Sequence, residues 1–231
     1  MNRVALQPAF ILHRRSYSNT SWIIECVTPE YGRVGLMAKG ARSQKSRYRG
    51  MLELFTPLLI SWSGRGELPS LTSVEFLNAP FSLQDHQLAC GFYLNELLMR
   101  LLCRQDPCPK IFRLYQNTVV ALSQTDVVAP LLRKFEKDLL AQLGYGMNYA
   151  QDWQTKASID PNKWYYYTPD RGFSEPVPGV DAICFSGESV LALHQDHYAT
   201  LAILQEAKQL MRLVLRHYLG KLPIKSRDLI G

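Results

Sequence analysis

The spacing of apolar residues along this chain changes close to Pro80. Before that point apolar and polar residues alternate, which is typical of β-strands that bury one face. After it, apolar residues recur every three or four positions, as on helices with one buried face. The sequence therefore predicts a β-rich N-terminal part followed by a mostly helical part.

The β-rich part is predicted to contain five strands, at residues 4–12, 21–27, 34–39, 51–62 and 67–77. Turn signals separate several of them, such as Gly64-Arg65-Gly66 before the last strand. A longer connection joins the third strand to the fourth. Five short strands with one long loop fit a small closed barrel, and the OB-fold is the five-stranded barrel that binds oligonucleotides.

The helical part is predicted to contain helices at about residues 82–102, 111–122, 130–143 and 198–219. The helical period is lost before the last helix, where residues 164–173 predict a small β-hairpin. The predicted fold class is therefore α+β. It comprises an OB-fold barrel at 1–79, a helical domain starting at 80–147, a small inserted β-containing module at 148–197, and a C-terminal helix at 198–231 that completes the helical domain.

Composition restricts the setting of the protein. The apolar content of 47% suits a globular chain. No apolar run approaches the ~18–20 residues that cross a bilayer, and the N-terminal apolar stretch is broken by Gln7 and Pro8, unlike a signal peptide. Five scattered cysteines form no disulfide framework. These features predict a cytoplasmic protein without a membrane partner.

Positive charge is concentrated near the N-terminus. Residues 1–50 hold nine Lys and Arg against two acids, a net charge of +7. The other 181 residues hold 17 bases and 18 acids, a net charge of −1. The pI of about 9.1 therefore reflects one segment. Solubility alone does not require such a concentration of charge.

The connection between the third and fourth predicted strands carries much of this charge. Residues 39–50 contain five bases and no acid, which predicts a loop that binds a polyanion, most often a nucleic-acid backbone. Tyr48 lies within it and is expected to be exposed and to stack on bases, as is Tyr31 in a turn, whereas Trp22 and Trp62 are expected in the core. The predicted DNA-binding residues are Arg14, Arg15, Lys39, Arg42, Lys45, Arg47, Tyr48 and Arg49.

Motifs for chemistry are missing from the sequence. A structural zinc site needs four Cys or His ligands in close pairs, but Cys103 and Cys108 have no second Cys pair and His194-x-x-His197 is a lone HxxH. The sequence also has no Gly-x-Ser-x-Gly nucleophile elbow and no phosphate-binding loop motif. The residues therefore predict a protein without an active site, metal or other cofactor. Two further classes stay open from the residues alone: an RNA-binding OB-fold module, and a protein-interaction scaffold whose basic loop meets an acidic partner.

Several short motifs are spread over nearly the whole chain. They are Phe10-Ile-Leu-His-Arg-Arg-Ser-Tyr17, Thr28-Pro-Glu-Tyr-Gly-Arg33, Ala38-Lys-Gly-Ala-Arg42, Lys45-Ser-Arg47, Leu54-Phe-Thr-Pro57, Tyr93-Leu-Asn-Glu-Leu-Leu98, Leu132-Arg-Lys-Phe-Glu136, Leu143-Gly-Tyr-Gly146 and Leu222-Pro-Ile-Lys-Ser-Arg227. In sequence and in order they resemble the motifs of the bacterial RecO family of recombination mediators.

The resemblance implies a DNA repair and recombination protein with an N-terminal OB-fold and a helical domain. It implies binding of single- and double-stranded DNA, annealing of complementary strands coated by the single-stranded-DNA-binding protein SSB, and loading of recombinase together with RecR. The expected location is the cytoplasm, in association with the nucleoid.

Two further expectations follow from the resemblance. The inserted module binds zinc in some members of the family. Residues 148–198 contain a single cysteine, Cys184, so no metal site is expected here. The acidic tail of SSB ends in an aromatic residue and a free carboxylate, which require an apolar pocket and a cation. Residues 132–136 match a family segment, and the predicted tail-binding residues are Leu132, Arg133 and Phe135.

Overall fold

The computed structural model of the protein describes residues 3–176, 183–220 and 222–230. Its internal contacts divide the chain into two units. The first unit combines the residues up to Asp126 with those from Ile224 onward, and the second is Val127–Pro223. The domain boundaries at 79, 147 and 197 stay predictions.

The first unit begins with a closed five-stranded barrel. Its strands are β1 (Arg3–Tyr17), β2 (Ser21–Thr28), β3 (Gly32–Ala38), β4 (Leu58–Ser63) and β5 (Ser70–Phe76). They are ordered β1-β2-β3-β5-β4, and β1 pairs with both β2 and β4 to close the barrel. Only β3 and β5 pair in parallel, where Met37 lies opposite Ser70. The predicted OB-fold barrel is confirmed.

Alternating side chains of the strands fill the barrel. Trp62 is 6% exposed within this core, which confirms the expectation made for it. Trp22 is only partly buried against the core. The other strand residues of this core are Val4, Ala9, Ile11, Ile24, Cys26, Val34, Leu36, Ala38, Leu58, Ile60, Leu71 and Val74.

The predicted fourth strand was too long. Residues 51–57 belong to an irregular connection, and β4 starts at Leu58. Phe55 has a positive φ of 57°, which is incompatible with a strand, and Pro57 has no N–H for a ladder hydrogen bond. Leu52 is nevertheless buried in the barrel core, so the apolar alternation of this segment reflected burial without strand pairing.

Two helices follow the barrel in the first unit, α1 (Asp85–Leu101) and α2 (Pro109–Leu122). The ring of Phe10 on β1 lies 5.5 Å from that of Phe112 and 5.2 Å from that of Tyr115. Tyr115 Oη donates a hydrogen bond to Asn95 Oδ1 (2.7 Å), and Asn95 Nδ2 donates to Leu12 O (3.0 Å). Aromatic packing and this buried polar chain therefore join both helices to β1. A 3₁₀ helix at Lys225–Leu229 packs on α1.

The second unit contains α3 (Val128–Gln142), a small sheet, α4 (Gly187–Gln195) and α5 (Leu201–Leu219). The sheet is antiparallel in the order β7-β6-β8, with β6 at Trp164–Thr168, β7 at Gly172–Ser174 and β8 at Cys184–Ser186. The predicted hairpin is confirmed, but β8 and α4 were missed because both are short. Across the described part of the chain, no helix is long and apolar enough to span a membrane.

Candidate nucleic-acid interface

The basic connection between β3 and β4 is an ordered series of turns anchored to the barrel. Ala41, Tyr48 and Leu52 are buried in the barrel core, and backbone hydrogen bonds such as Ser46 N to Ser43 O (3.0 Å) shape the turns between them. Its five cations are exposed: Lys39, Arg42, Lys45, Arg47 and Arg49. The buried positions therefore hold the backbone while the charges remain in solvent.

Hydrogen bonds also tie this connection to the turn between β1 and β2. The backbone N–H of Arg42 donates to Thr20 O (2.8 Å), and Arg42 Nη1 donates to Ser18 O (3.0 Å). Arg15 is exposed near the end of β1, three residues before Ser18. The structure thus brings Arg15 and the loop cations to the same region of the barrel, and we name these six exposed side chains the basic surface: Arg15, Lys39, Arg42, Lys45, Arg47 and Arg49.

Arg14 has a different environment from Arg15. Its Nη1 donates to Leu52 O (2.7 Å) and lies 2.7 Å from Glu53 Oε1, while its guanidinium lies 4.6 Å from the centroid of the Trp22 ring. Since a carboxylate partly neutralises this charge, Arg14 contributes less to the potential of the surface than its sequence position suggests.

The expectation that Tyr48 is exposed is wrong. Tyr48 is only 4% exposed, and its Oη donates a hydrogen bond to Leu71 O (3.1 Å). Arg47 Nη2 donates to the same Oη (2.6 Å), and the guanidinium lies 4.8 Å from the ring centroid. Tyr48 therefore fastens the basic loop to β5 and has no free ring face for a base. Tyr31 is 37% exposed, as expected.

The outer face of β2 and β3, a frequent oligonucleotide-binding face of OB-folds, is covered by the chain itself. Arg104 donates a hydrogen bond to buried Glu25, and its guanidinium lies over Gly35. Gln105 N donates to Arg33 O (3.0 Å). This segment between α1 and α2 therefore covers part of that face, whereas the cations of residues 39–49 remain exposed.

The predicted tail-binding residues on α3 are buried. Leu132 is 4% exposed, Arg133 5% and Phe135 0%. Arg133 Nε donates to Glu136 Oε2 (2.7 Å), and Arg133 Nη2 donates to Glu136 Oε1. In this structure the charge of Arg133 is therefore matched by a buried carboxylate one helical turn away and is not presented to solvent, and binding of the SSB tail by these three residues stays a prediction.

Two family models together match most of the chain. The model described as Recombination protein O N terminal matches residues 1–80, and Recombination protein O C terminal matches residues 86–228. The chain belongs to the RecO family. The DNA repair protein RecO of Coxiella burnetii (strain CbuG_Q212) is 51% identical over 228 residues, covering 99% of this chain and 98% of that protein. The proteins of the same name from Nitrosococcus oceani and Methylococcus capsulatus are 43% and 42% identical, each covering 99% of this chain and 93% of the relative.

Metal ligands are not clustered in the part of this RecO family protein that the structure describes. Within residues 3–176, 183–220 and 222–230, no three His, Cys, Asp or Glu side chains lie close enough together to hold an ion. Cys184 is half-buried at the start of β8. The expectation that zinc is absent stays a prediction.

Sequence reasoning missed the segment that covers β2 and β3 in this RecO family member. Two strand glycines carried the signal, because glycine inside a strand often marks the close approach of another backbone. A Cβ at Gly32 would clash with the carbonyl of Asp106, and one at Gly35 would lie 3.2 Å from Arg104 Nη2. The alternation of apolar residues does not reveal such contacts.

Proposed function

We propose that this RecO family DNA repair protein binds single- and double-stranded DNA on the basic surface and anneals complementary strands coated by SSB. The observation that carries the proposal is the display of five exposed cations, without an acid, on residues 39–50 of an anchored loop. The proposed activity is non-enzymatic, since bringing two strands together requires no covalent chemistry.

Electrostatics explains how such a surface would promote annealing. Two DNA strands repel each other through their phosphates, and cations that neutralise phosphates on both strands lower this repulsion and release counterions. Anchoring matters as well, because a loop already held by Tyr48 and Leu52 loses less conformational freedom on binding than a free loop.

Family resemblance supports the remaining parts of the proposal. These are the loading of recombinase together with RecR, the binding of the SSB tail, and a cytoplasmic location in association with the nucleoid. Leu132, Arg133 and Phe135 do not add support for tail binding, because all three side chains are buried.

The experiment is annealing of complementary oligonucleotides coated with cognate SSB. Lys39, Lys45 and Arg49 are exposed and make none of the side-chain bonds that anchor the loop, so their joint replacement by Gln removes charge and leaves the anchors in place. The control, Lys110/Arg113/Lys156→Gln, removes the same charge from exposed positions elsewhere.

We expect the loop variant to lose most annealing activity and the control to keep it. Equal activity of both variants would contradict the proposal.

Two further measurements separate DNA binding from the alternative functions. Competition between DNA and RNA oligonucleotides of the same sequence shows whether the protein prefers DNA or RNA. Absence of any DNA binding at low salt would favour a protein-interaction scaffold.

A further inference from the structure

A second surface of the barrel differs chemically from the basic surface. A cleft of about 420 Å³ opens beside the first residues of β3 and the turn between β4 and β5. This volume is within the range of ligand-binding pockets, about 300–1,000 Å³. Its lining includes Tyr31, Arg33, Trp62, Arg65, Glu67 and Arg104.

Tyr31 supplies the cleft with a supported aromatic ring. Its ring lies edge-to-face on Trp62, with centroids 5.2 Å apart and an interplanar angle of 83°. Trp62 belongs to the barrel core and is 6% exposed, whereas Tyr31 is 37% exposed. The core thus holds the tryptophan in place, and the tyrosine ring rests on it with part of its surface in solvent.

The charges of the cleft nearly cancel. Arg104 is paired with Glu25, and Arg33 donates to Met99 O and lies with its Nε 3.9 Å from Glu25 Oε2. Arg65 is exposed on the turn between β4 and β5, two residues from exposed Glu67. Three arginines therefore face two carboxylates in and beneath this cleft, whereas residues 39–50 contain five bases and no acid.

This difference indicates which part of a nucleic acid each surface suits. A polyanionic backbone is attracted to uncompensated positive charge. A nucleobase is neutral and planar, stacks on aromatic rings, and offers both donors and acceptors at its edge. Tyr31 provides the ring, Arg65 provides donors and Glu67 provides an acceptor.

We propose that this cleft binds one unpaired base of a DNA strand whose backbone contacts the basic surface. The inference rests on the proposed DNA-binding function. Tyr31 immediately precedes β3 and Lys39 immediately follows it, so eight residue steps along the strand separate the two surfaces by about 26 Å. At 3.4 Å or more per nucleotide, an oligonucleotide of about ten nucleotides can reach both.

The proposed cleft gives the protein a means to distinguish single strands from duplex. A base can enter only while it is unpaired, and pairing with a complementary strand withdraws it. The duplex product is then held by the basic surface alone. The cleft would therefore favour the substrate of annealing over its product.

The test compares the affinities of a single-stranded oligonucleotide and a duplex of equal length by fluorescence anisotropy. One stacked base contributes ~1–3 kcal/mol, so Tyr31→Ala should weaken single-strand binding about 5- to 150-fold. Duplex affinity should change less than about twofold, because the basic surface is intact, and this duplex binding also reports that the variant is folded. Tyr31→Phe should resemble the wild type, since it keeps the ring.

Further variants keep the test independent of Tyr31. Arg65 lies on an exposed turn, and Arg65→Ala should weaken single-strand binding about 2- to 12-fold through loss of a hydrogen bond to the base. Phe76→Ala removes a 50% exposed aromatic of the same barrel that does not line the cleft, and should change neither affinity.

A fluorescent base analogue locates the bound base directly. In the wild type, 2-aminopurine placed at successive positions of the oligonucleotide should show a fluorescence change at one position. This change should be absent in Tyr31→Ala.

Several results would overturn the inference. Tyr31→Ala could lose equal affinity for the single strand and the duplex, or could bind the single strand like the wild type. Either result would show that no base binds in the cleft, and would leave the proposed function intact. If Tyr31→Ala bound DNA like the wild type but no longer bound an acidic peptide that the wild type binds, the cleft would be assigned to a protein partner. A wild-type protein that binds neither oligonucleotide would instead refute the proposed function itself.

Discussion

Glu96 on α1 binds Ser226, which lies 130 residues further along the chain. Glu96 Oε2 accepts hydrogen bonds from the backbone N–H (2.8 Å) and the hydroxyl (2.7 Å) of Ser226, and Oε1 accepts one from the N–H of Lys225 (3.0 Å). A carboxylate stabilises a helix when it accepts hydrogen bonds from the N–H groups of the first turn. This contact fastens the 3₁₀ helix at Lys225–Leu229 to α1 within the first unit.

Removing this carboxylate should release residues 224–230. We expect Glu96→Ala to lower the free energy of unfolding by about 1–2 kcal/mol, toward the low end for charged hydrogen bonds because the group is partly exposed. Limited proteolysis followed by mass spectrometry should show faster cleavage within 224–230. Glu75→Ala removes an exposed carboxylate of the same unit and should change neither quantity.

The same contact predicts a pH dependence. Burial alone would raise the pKa of Glu96, but the hydrogen bonds from Ser226 and Lys225 and the charge of Arg100 outweigh it and lower the pKa below its ordinary value of 4.5. A carboxyl with a lowered pKa in the folded state stabilises it above pH 4.5, and this contribution is lost as the pH falls through the lowered pKa. Urea unfolding of wild type and Glu96→Gln should therefore differ at pH 7 and converge under acidic conditions.

The basic loop should set the salt dependence of DNA binding. For single strands the slope of log affinity against log salt is ~−0.7 per phosphate neutralised. If each side chain meets one phosphate, Lys39/Lys45/Arg49→Gln should flatten the slope by about 2. Affinities for unrelated sequences should fall together. A folded variant with the wild-type slope would show that the DNA backbone binds outside this loop.

Tyr48→Phe distinguishes an anchor from a stacking residue. It removes the hydrogen bond to Leu71 O and keeps the ring, so the free energy of unfolding should fall by about 0.5–1.5 kcal/mol. The affinity for single-stranded DNA at a temperature well below unfolding should stay within about twofold of the wild type. A stability equal to the wild type together with weaker DNA binding would instead indicate direct contact with DNA.

The buried pair on α3 should behave as a structural element. Arg133→Ala removes the two hydrogen bonds that the guanidinium donates to the buried Glu136 carboxylate, so it should destabilise the protein by about 3–5 kcal/mol. Replacing both partners, as in Arg133→Met with Glu136→Leu, should recover most of this loss. Chemical denaturation measures both. If Arg133→Ala left stability unchanged and weakened the binding of an SSB tail peptide, the arginine would act in recognition after all.

Purified, untagged protein is predicted to contain no stoichiometric zinc. Residues 148–198 contain a single cysteine, and a structural zinc site usually requires four Cys or His ligands. Elemental analysis measures the metal directly, and thermal unfolding with and without chelator should give the same midpoint. Zinc at one equivalent would contradict this prediction.

The sequence by itself determined the barrel, most helices and the location of the positive charge. Ile24 and Cys26 on β2, and Val34, Leu36 and Ala38 on β3, lie at alternate positions because one side of each strand enters the barrel core. Such an alternation can be recognised from residues that are close together in the sequence. The charge of residues 39–50 is likewise a local property of composition. Regularities of this kind depend on the few residues around each position.

Only the tertiary structure decided which polar and aromatic side chains are accessible. Tyr48 is buried because its hydroxyl meets the carbonyl of Leu71, 23 residues away, and Glu96 meets Ser226 across 130 residues. The spacing of Arg133 and Glu136 permits a helical pair, but neighbouring elements determine whether that pair faces solvent or the core. Exposure depends on which distant segments pack against a residue, and the local periodicity of a sequence contains no record of that packing.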